Sequence, residues 1–320
     1  MLFSCTEEPL HDGSPLRCSI SINGIDPGGR LLCGYNYELV KRFATAEGRS
    51  ADIRPSRHKE NLLDSLKNGA VDLVVLPFTD SLDRDSLLVW HSADSCGIWV
   101  FRSADAPQAE FAEAWLRELH TEPDYAILRQ PYMDVYNPMT RVSADFISPY
   151  DSLIRVYADT LGWDWKMLAA LIYQESKFRI EALSPKGAAG LMQLVPNTAR
   201  NMGLDNWLDP EENIRAGAMM LRTVEKKYRR LAANRNELAK FTLAAYNAGA
   251  ARIADCINYA RHLGADVSRW ENVAAVIPDM QHDSVGALDT VKLGKFYGGE
   301  TVSYVRLVNT FYERYRHICP

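Results

Sequence analysis

Along residues 164–176 the apolar positions Leu168, Leu171 and Ile172 fall at i, i+3 and i+4, the stripe of a buried helix face. The next position of that stripe, i+7, is an acid, Glu175. Asp164 stands where an N-cap belongs, so Glu175 falls in the last turn, near the negative end of the helix dipole. Burial and a negative dipole end both disfavour ionisation, so the pattern predicts a carboxyl that keeps its proton to unusually high pH. Such an acid suits the protonation of a leaving sugar oxygen.

Further helices follow in the second half. Pro196, Asn197 and Thr198 open one. Asp209-Pro210-Glu211-Glu212 opens another through a capping box, and Lys226, Lys227, Arg229 and Arg230 complement its C-terminal end. Residues 243–249 read as a helix closed by Gly249, and residues 298–305 put Glu300 and Tyr304 on one face at i, i+4.

In the first half the period changes. Residues 16–22, 51–54, 71–76 and 96–101 read as strands. Residues 35–47, 61–68 and 108–119 read as helices, the last with Phe111, Trp115 and Leu119 in one stripe. Strands alternating with helices predict a small parallel-type α/β layer. Residues 120–146, punctuated by Pro123, Pro131 and Pro138, read as a non-helical connector. Its Tyr125, Tyr132, Tyr136 and Phe146 mark it as packed, since disordered linkers are poor in aromatics. The expected fold class is multi-domain, α/β followed by mainly α. It comprises a tether over residues 1–16, an α/β domain over 17–119, the connector over 120–146 and a helical domain over 147–320.

Composition fits this division: 320 residues, 47% hydrophobic and 24% charged, suffice for about two domains. A net charge of -5 supplies no broad basic face, so nucleic acid is not an expected partner. No apolar run reaches the roughly 20 residues of a membrane-spanning helix. The six cysteines show no zinc-ligand spacing, and neither a metal nor another cofactor is expected. Cys18, Cys33, Cys96, Cys256 and Cys319 are compatible with a disulfide or with buried free thiols.

Four segments in order carry the chemistry: Glu175-Ser176, then Ser184 with Gly190-Leu191-Met192-Gln193, then Ala245-Tyr246-Asn247-Ala248-Gly249, and finally Gly298-Gly299-Glu300 with Tyr304. Together they resemble the catalytic domain of the soluble-lytic-transglycosylase family, of the lysozyme-like superfamily, over residues 147–320. The resemblance implies that Glu175 is the single catalytic acid and base. It implies that Ser184 lies beside the reacting sugar and that Met192 and Gln193 line the subsite wall. Tyr246 and Tyr304 would flank the carboxyl, and Asn247 and Glu300 would support the cleft. Plainer roles stand beside these: Met192 as a core gap-filler, Asn247 as a helix cap, the tyrosines as core aromatics, and Glu300 as a dipole partner.

The implied substrate and partner is the peptidoglycan glycan strand, cut between N-acetylmuramic acid and N-acetylglucosamine with closure to a 1,6-anhydro sugar. A hydrolytic muramidase and a non-catalytic peptidoglycan-binding sensor are the alternatives. In the first half, Gly34-Tyr35-Asn36-Tyr37-Glu38-Leu39 and Asn68-Gly69-Ala70-Val71-Asp72-Leu73 resemble motifs of the periplasmic solute-binding-protein family. Only one lobe of that two-lobed fold fits, which favours a scaffold over a solute sensor. Leu2-Phe3-Ser4-Cys5 resembles a bacterial lipoprotein cleavage box, implying a lipid anchor on Cys5 and an outer-membrane-anchored or periplasmic place in the cell envelope. The residues before Cys5 lack the charged and apolar regions of a signal peptide, so the true start lies upstream of Met1 or the match is accidental.

Overall fold

The computed structural model describes residues 13–23, 26, 28–78, 88–92, 94–140 and 145–319, with backbone alone at 88–92. The chain divides into two compact units, Met1–Tyr136 with Arg179–Leu183, and Asn137–Phe178 with Ser184–Pro320.

The first unit holds one sheet of β1 (Leu16–Ser21), β2 (Ala51–Ser56), β3 (Leu73–Leu76), β4 (Leu88–Ser92) and β5 (Ile98–Arg102), in the order β2-β1-β3-β5-β4. Helices α1 (Leu32–Ala46) and α2 (Lys59–Lys67) link the first three strands, and β1 pairs in parallel with both β2 and β3. The second half of the sheet corrects the expected parallel layer. β5 runs antiparallel to β3 and to β4, a strand the periodicity did not pick out. Only five positions separate the end of β4 from the start of β5, too few for the crossover that a parallel pairing needs, so β5 returns antiparallel to β4. The sheet is therefore mixed.

Phe43 of α1 joins the layers. Its ring lies 5.5 Å from Trp99 of β5, and 6.0 and 5.6 Å from Phe111 and Trp115 of α3 (Ala106–Thr121). The connector is a second correction, because α4 (Tyr125–Met133) is helical with Pro131 inside it. Tertiary contacts outweigh the proline. The Tyr132 ring packs 5.9 Å from Tyr35, Tyr132 O accepts from the Leu31 amide at 2.8 Å, and the Tyr35 and Tyr125 hydroxyls are 3.0 Å apart.

The second unit is helical: α5 (Asp151–Leu161), α6 (Trp165–Ser176), α7 (Pro196–Asn201), α8 (Pro210–Tyr228), α9 (Arg235–Ala248), α10 (Ala250–His262), α11 (Trp270–Val276), α12 (Asp283–Gly286) and α13 (Gly299–Ile318). Helix α6 is the central rod. Every residue from Met167 to Tyr173 is buried, and the helix packs between α5 and α13. Helices α9 and α8 extend the bundle, α9 against α13 and α8 against α9 and α5. Asp164 caps α6 as expected, its Oδ1 accepting from the Lys166 amide at 3.0 Å. Asp209 likewise caps α8 by accepting from the Glu212 amide at 2.9 Å. The capping box is only half formed, because Glu212 instead accepts from the Asp205 and Asn206 amides. Among the described residues no helix is long and apolar enough to cross a membrane. Cys18, Cys33, Cys96, Cys256 and Cys319 are free thiols, and Cys5 lies outside the described residues.

Candidate active site

Helix α6 delivers Glu175 at its last turn and then stops abruptly. Lys177 and Phe178 both take left-handed backbone conformations, with φ of 57° and 63°, where glycine is the usual occupant. Such conformations cost roughly 1–2 kcal/mol each in a residue with a Cβ. Packing holds them: Phe178 is fully buried, and the Lys177 ammonium sits 4.1 Å from the centre of the Tyr173 ring. The turn fixes the direction in which Glu175 points.

Tyr304 reaches Glu175 from α13, its hydroxyl donating to Oε1. Burial raises the Glu175 pKa from 4.5 to about 7, against the lowering pull of the Tyr304 hydrogen bond and the Lys177 charge. Tyr246 of α9 is close enough to feel the same carboxyl, and burial together with that negative charge pushes both phenols upward. Three helices that meet in the bundle thus bring together Glu175, Tyr246 and Tyr304.

Residues 184–195 follow in the same unit. Ala189 and Leu194 make a one-pair antiparallel bridge, with Gly190 to Gln193 as its tip. Gln193 adopts φ +47°, and its Nε2 donates to Gly190 O at 3.0 Å. Tyr246 binds this tip, its hydroxyl donating to the Met192 carbonyl at 2.6 Å. Met192 departs from expectation. Its side chain is completely buried against Gly217 of α8, so the backbone carbonyl is what it contributes, and the side chain lines no wall. Ser184 closes its own turn, Oγ accepting from the Ala188 amide at 3.0 Å. Asn247 is exposed and accepts from the buried Thr301 hydroxyl at 2.8 Å, tying the end of α9 to the start of α13. Glu300 is exposed in the first turn of α13, one turn before the buried Tyr304, where a dipole partner belongs.

Sequence reasoning missed the side chain that organises the tip. Asn213 of α8 is fully buried; Oδ1 accepts from the Met192 amide at 2.8 Å, and Nδ2 donates to Ala189 O at 3.3 Å and Trp207 O at 3.0 Å. A Cβ on Gly190 would stand 2.1 Å from Asn213 Nδ2, and one on Gly217 would stand 2.1 Å from Met192 Sδ, so both positions exclude a larger residue. The signal was present: Asn213, Gly217 and Leu221 fall at i, i+4 and i+8, a polar group on a core stripe. Among the described residues, no three His, Cys, Asp or Glu side chains gather as metal ligands.

Residues 152–268 match the Transglycosylase SLT domain, and Glu300 and Tyr304 lie beyond that stretch. A membrane-bound lytic murein transglycosylase F of Desulfosudis oleivorans is 34% identical over 190 residues, which is 59% of this chain and 39% of that protein. The protein of the same name from Shewanella loihica is 30% identical over 255 residues, 78% of this chain and 48% of that one. The chain thus spans less than half the length of these relatives. Among solved structures, the 70 kDa soluble lytic transglycosylase of Escherichia coli aligns at 23% identity over 67% of this chain and 27% of that one, with a TM-score of 0.35, too low to bear on the fold. Residues 152–268 are therefore a transglycosylase SLT domain, in a chain similar to the membrane-bound lytic murein transglycosylase F proteins.

Proposed function

We propose that this chain is a peptidoglycan lytic transglycosylase that uses one carboxyl for both proton transfers. The observation that carries the reading is Glu175: a carboxyl with a pKa near 7, set by burial and held by a phenol. With Oε1 accepting from Tyr304, the proton resides on Oε2 and is given to the glycosidic oxygen between N-acetylmuramic acid and N-acetylglucosamine. The C1–O bond breaks as the leaving oxygen takes that proton. The muramyl C6 hydroxyl then bonds to C1 and returns its proton to Glu175, restoring the acid and closing the 1,6-anhydro ring. Nucleophile and electrophile share one sugar, so the attack benefits from high effective concentration.

Two-acid glycosidases set a second carboxyl about 5–9.5 Å from the first, whereas the route proposed here uses Glu175 alone. Ser184, Gln193 and Asn247 are assigned to binding the strand, Tyr246 to holding the 190–193 tip, and Tyr304 to positioning the acid. The test is release of soluble fragments from purified sacculi by the wild-type chain but not by Glu175→Gln; equal release by both would overturn the reading.

For the first unit, the order β1-α1-β2-α2-β3 supports descent from one solute-binding lobe, retained as a scaffold. Thermal stabilisation of the chain by a free amino acid or muropeptide would instead indicate a ligand. A cell-envelope location with acylation at Cys5 is part of the same proposal. The intact mass of protein from its native host tests it, an unmodified Met1 ruling the anchor out.

A further inference from the structure

The far end of the α6–α13 pair holds a second polar and aromatic cavity, of about 630 Å³, well within the range of small-ligand sites. Met167 and Tyr312 line it, each eight residues along its helix from Glu175 and Tyr304 respectively. Eight residues of helix is about 12 Å, so the cavity is separate from the carboxyl yet within the span of one glycan strand. Two aromatic side chains are fixed in its wall. The Trp163 indole donates to Glu225 Oε2 at 2.8 Å, and the Tyr312 hydroxyl donates to Asp164 Oδ2 at 3.0 Å. Both rings remain partly exposed, with polar edges spent on protein partners; Arg316 lies over the Tyr312 ring at 5.7 Å from its centre, so the Trp163 indole is the ring whose face is left for a ligand.

The charge balance narrows the ligand. Asp164 is engaged by Tyr312 and by the Lys166 amide, and Glu225 by Trp163 and by Arg229 at 3.0 Å. The Arg229 charge is thereby answered. Arg235 and Asn236, exposed on the same wall, have no partner among the described residues. What the cavity offers is flat apolar surface, one uncommitted guanidinium and one uncommitted amide. A guanidinium pairs with a carboxylate or a phosphate, of which a peptidoglycan strand supplies carboxylates, and an amide suits hydroxyl and acetamido groups.

We propose that this cavity is a second saccharide site, taking an N-acetylated amino sugar that bears a carboxylate and holding the glycan strand away from the point of cleavage. This rests on the peptidoglycan reading given above. The probe is the disaccharide GlcNAc-MurNAc, which keeps its free lactyl carboxylate and lacks the scissile bond, titrated into the full chain while the Trp163 indole N–H is followed by NMR, assigned through Trp163→Phe. A saturable shift is expected. Arg235→Glu, at an exposed first-turn position that tolerates an acid, should weaken it about tenfold or more. Glu175→Gln should leave it unchanged, and a GlcNAc trisaccharide without the carboxylate should bind more weakly than the probe. An unmoved Trp163 signal, or equal binding by Arg235→Glu, would overturn the proposal. Turnover of sacculi by the wild-type chain is measured alongside. Its absence would count against the enzyme reading alone, while the Trp163 titration still decides the second site.

Discussion

The Tyr304 hydroxyl donates to Oε1 of Glu175, joining residues 129 positions apart in the chain. The hydrogen bond leaves Oε2 as the oxygen that carries the proton, and it steadies the carboxylate once that proton has gone. It also lowers a pKa that burial alone would place higher still. Tyr304→Phe should therefore move the alkaline limb of the kcat/KM profile upward from about 7 and slow turnover. A hydrogen bond to a charged group is worth about 1.5–3 kcal/mol, which corresponds to roughly 10- to 100-fold in rate. A pH profile with an unmoved limb would contradict this positioning role.

Glu175→Gln keeps the shape of the side chain and its acceptor for Tyr304 while removing both proton transfers. Losing general acid–base catalysis costs roughly 10²–10⁴-fold, and in the proposed route one group performs both steps, so the loss should lie at or above the top of that range. Release of soluble muropeptides from sacculi measures it, with circular dichroism to confirm the fold.

The same substitution should stabilise the protein at high pH. The Glu175 pKa rises from 4.5 to about 7 on folding, so between those values the folded chain holds a proton that the unfolded chain has released. The associated stability is complete below pH 4.5 and is lost as pH rises through about 7. A shift of this size is worth about 3 kcal/mol, since one pKa unit is about 1.36 kcal/mol. Denaturant unfolding at pH 5 and pH 8 should show Glu175→Gln gaining stability over wild type mainly at pH 8. A gain independent of pH would mean that Glu175 is not held in its neutral form.

Asn213→Ala should disturb the 190–193 tip without touching substrate. It strands the buried Met192 amide and leaves the part-buried Trp207 carbonyl without Asn213, while the Ala189 carbonyl keeps the Leu194 amide; a buried unsatisfied group costs about 1–3 kcal/mol. Gly217→Ala reaches the same tip from the other side by driving a methyl into Met192, an overpacking cost of typically 1–3 kcal/mol. Both variants should lower the unfolding midpoint, and both should lower turnover through the Met192 carbonyl that anchors Tyr246. A variant as stable as wild type would remove Asn213 from this role.

The acid on the apolar stripe was legible because a 3.6-residue period puts Glu175 on the inward face of the last turn of α6, where it is half-buried. Its pairing with Tyr304 and the neighbourhood of Tyr246 came from motif order, since spacing along one chain says nothing about which helices meet. Met192 was misplaced for the same reason: whether an apolar side chain faces a cleft or a core depends on Gly217, 25 positions away, whose missing Cβ makes the room. In the first unit, local period located the parallel strands, whereas the antiparallel return of β5 and the helical α4 depend on long-range pairing that overrides local propensity.

What becomes of the sugar once its glycosidic oxygen is protonated separates a transglycosylase from a hydrolase. Mass spectrometry of muropeptides released from sacculi by the wild-type chain reads this directly. The one-carboxyl route predicts fragments ending in 1,6-anhydro-N-acetylmuramic acid, one water lighter than their hydrolysed counterparts. Fragments ending in reducing N-acetylmuramic acid would contradict it and make the protein a hydrolase.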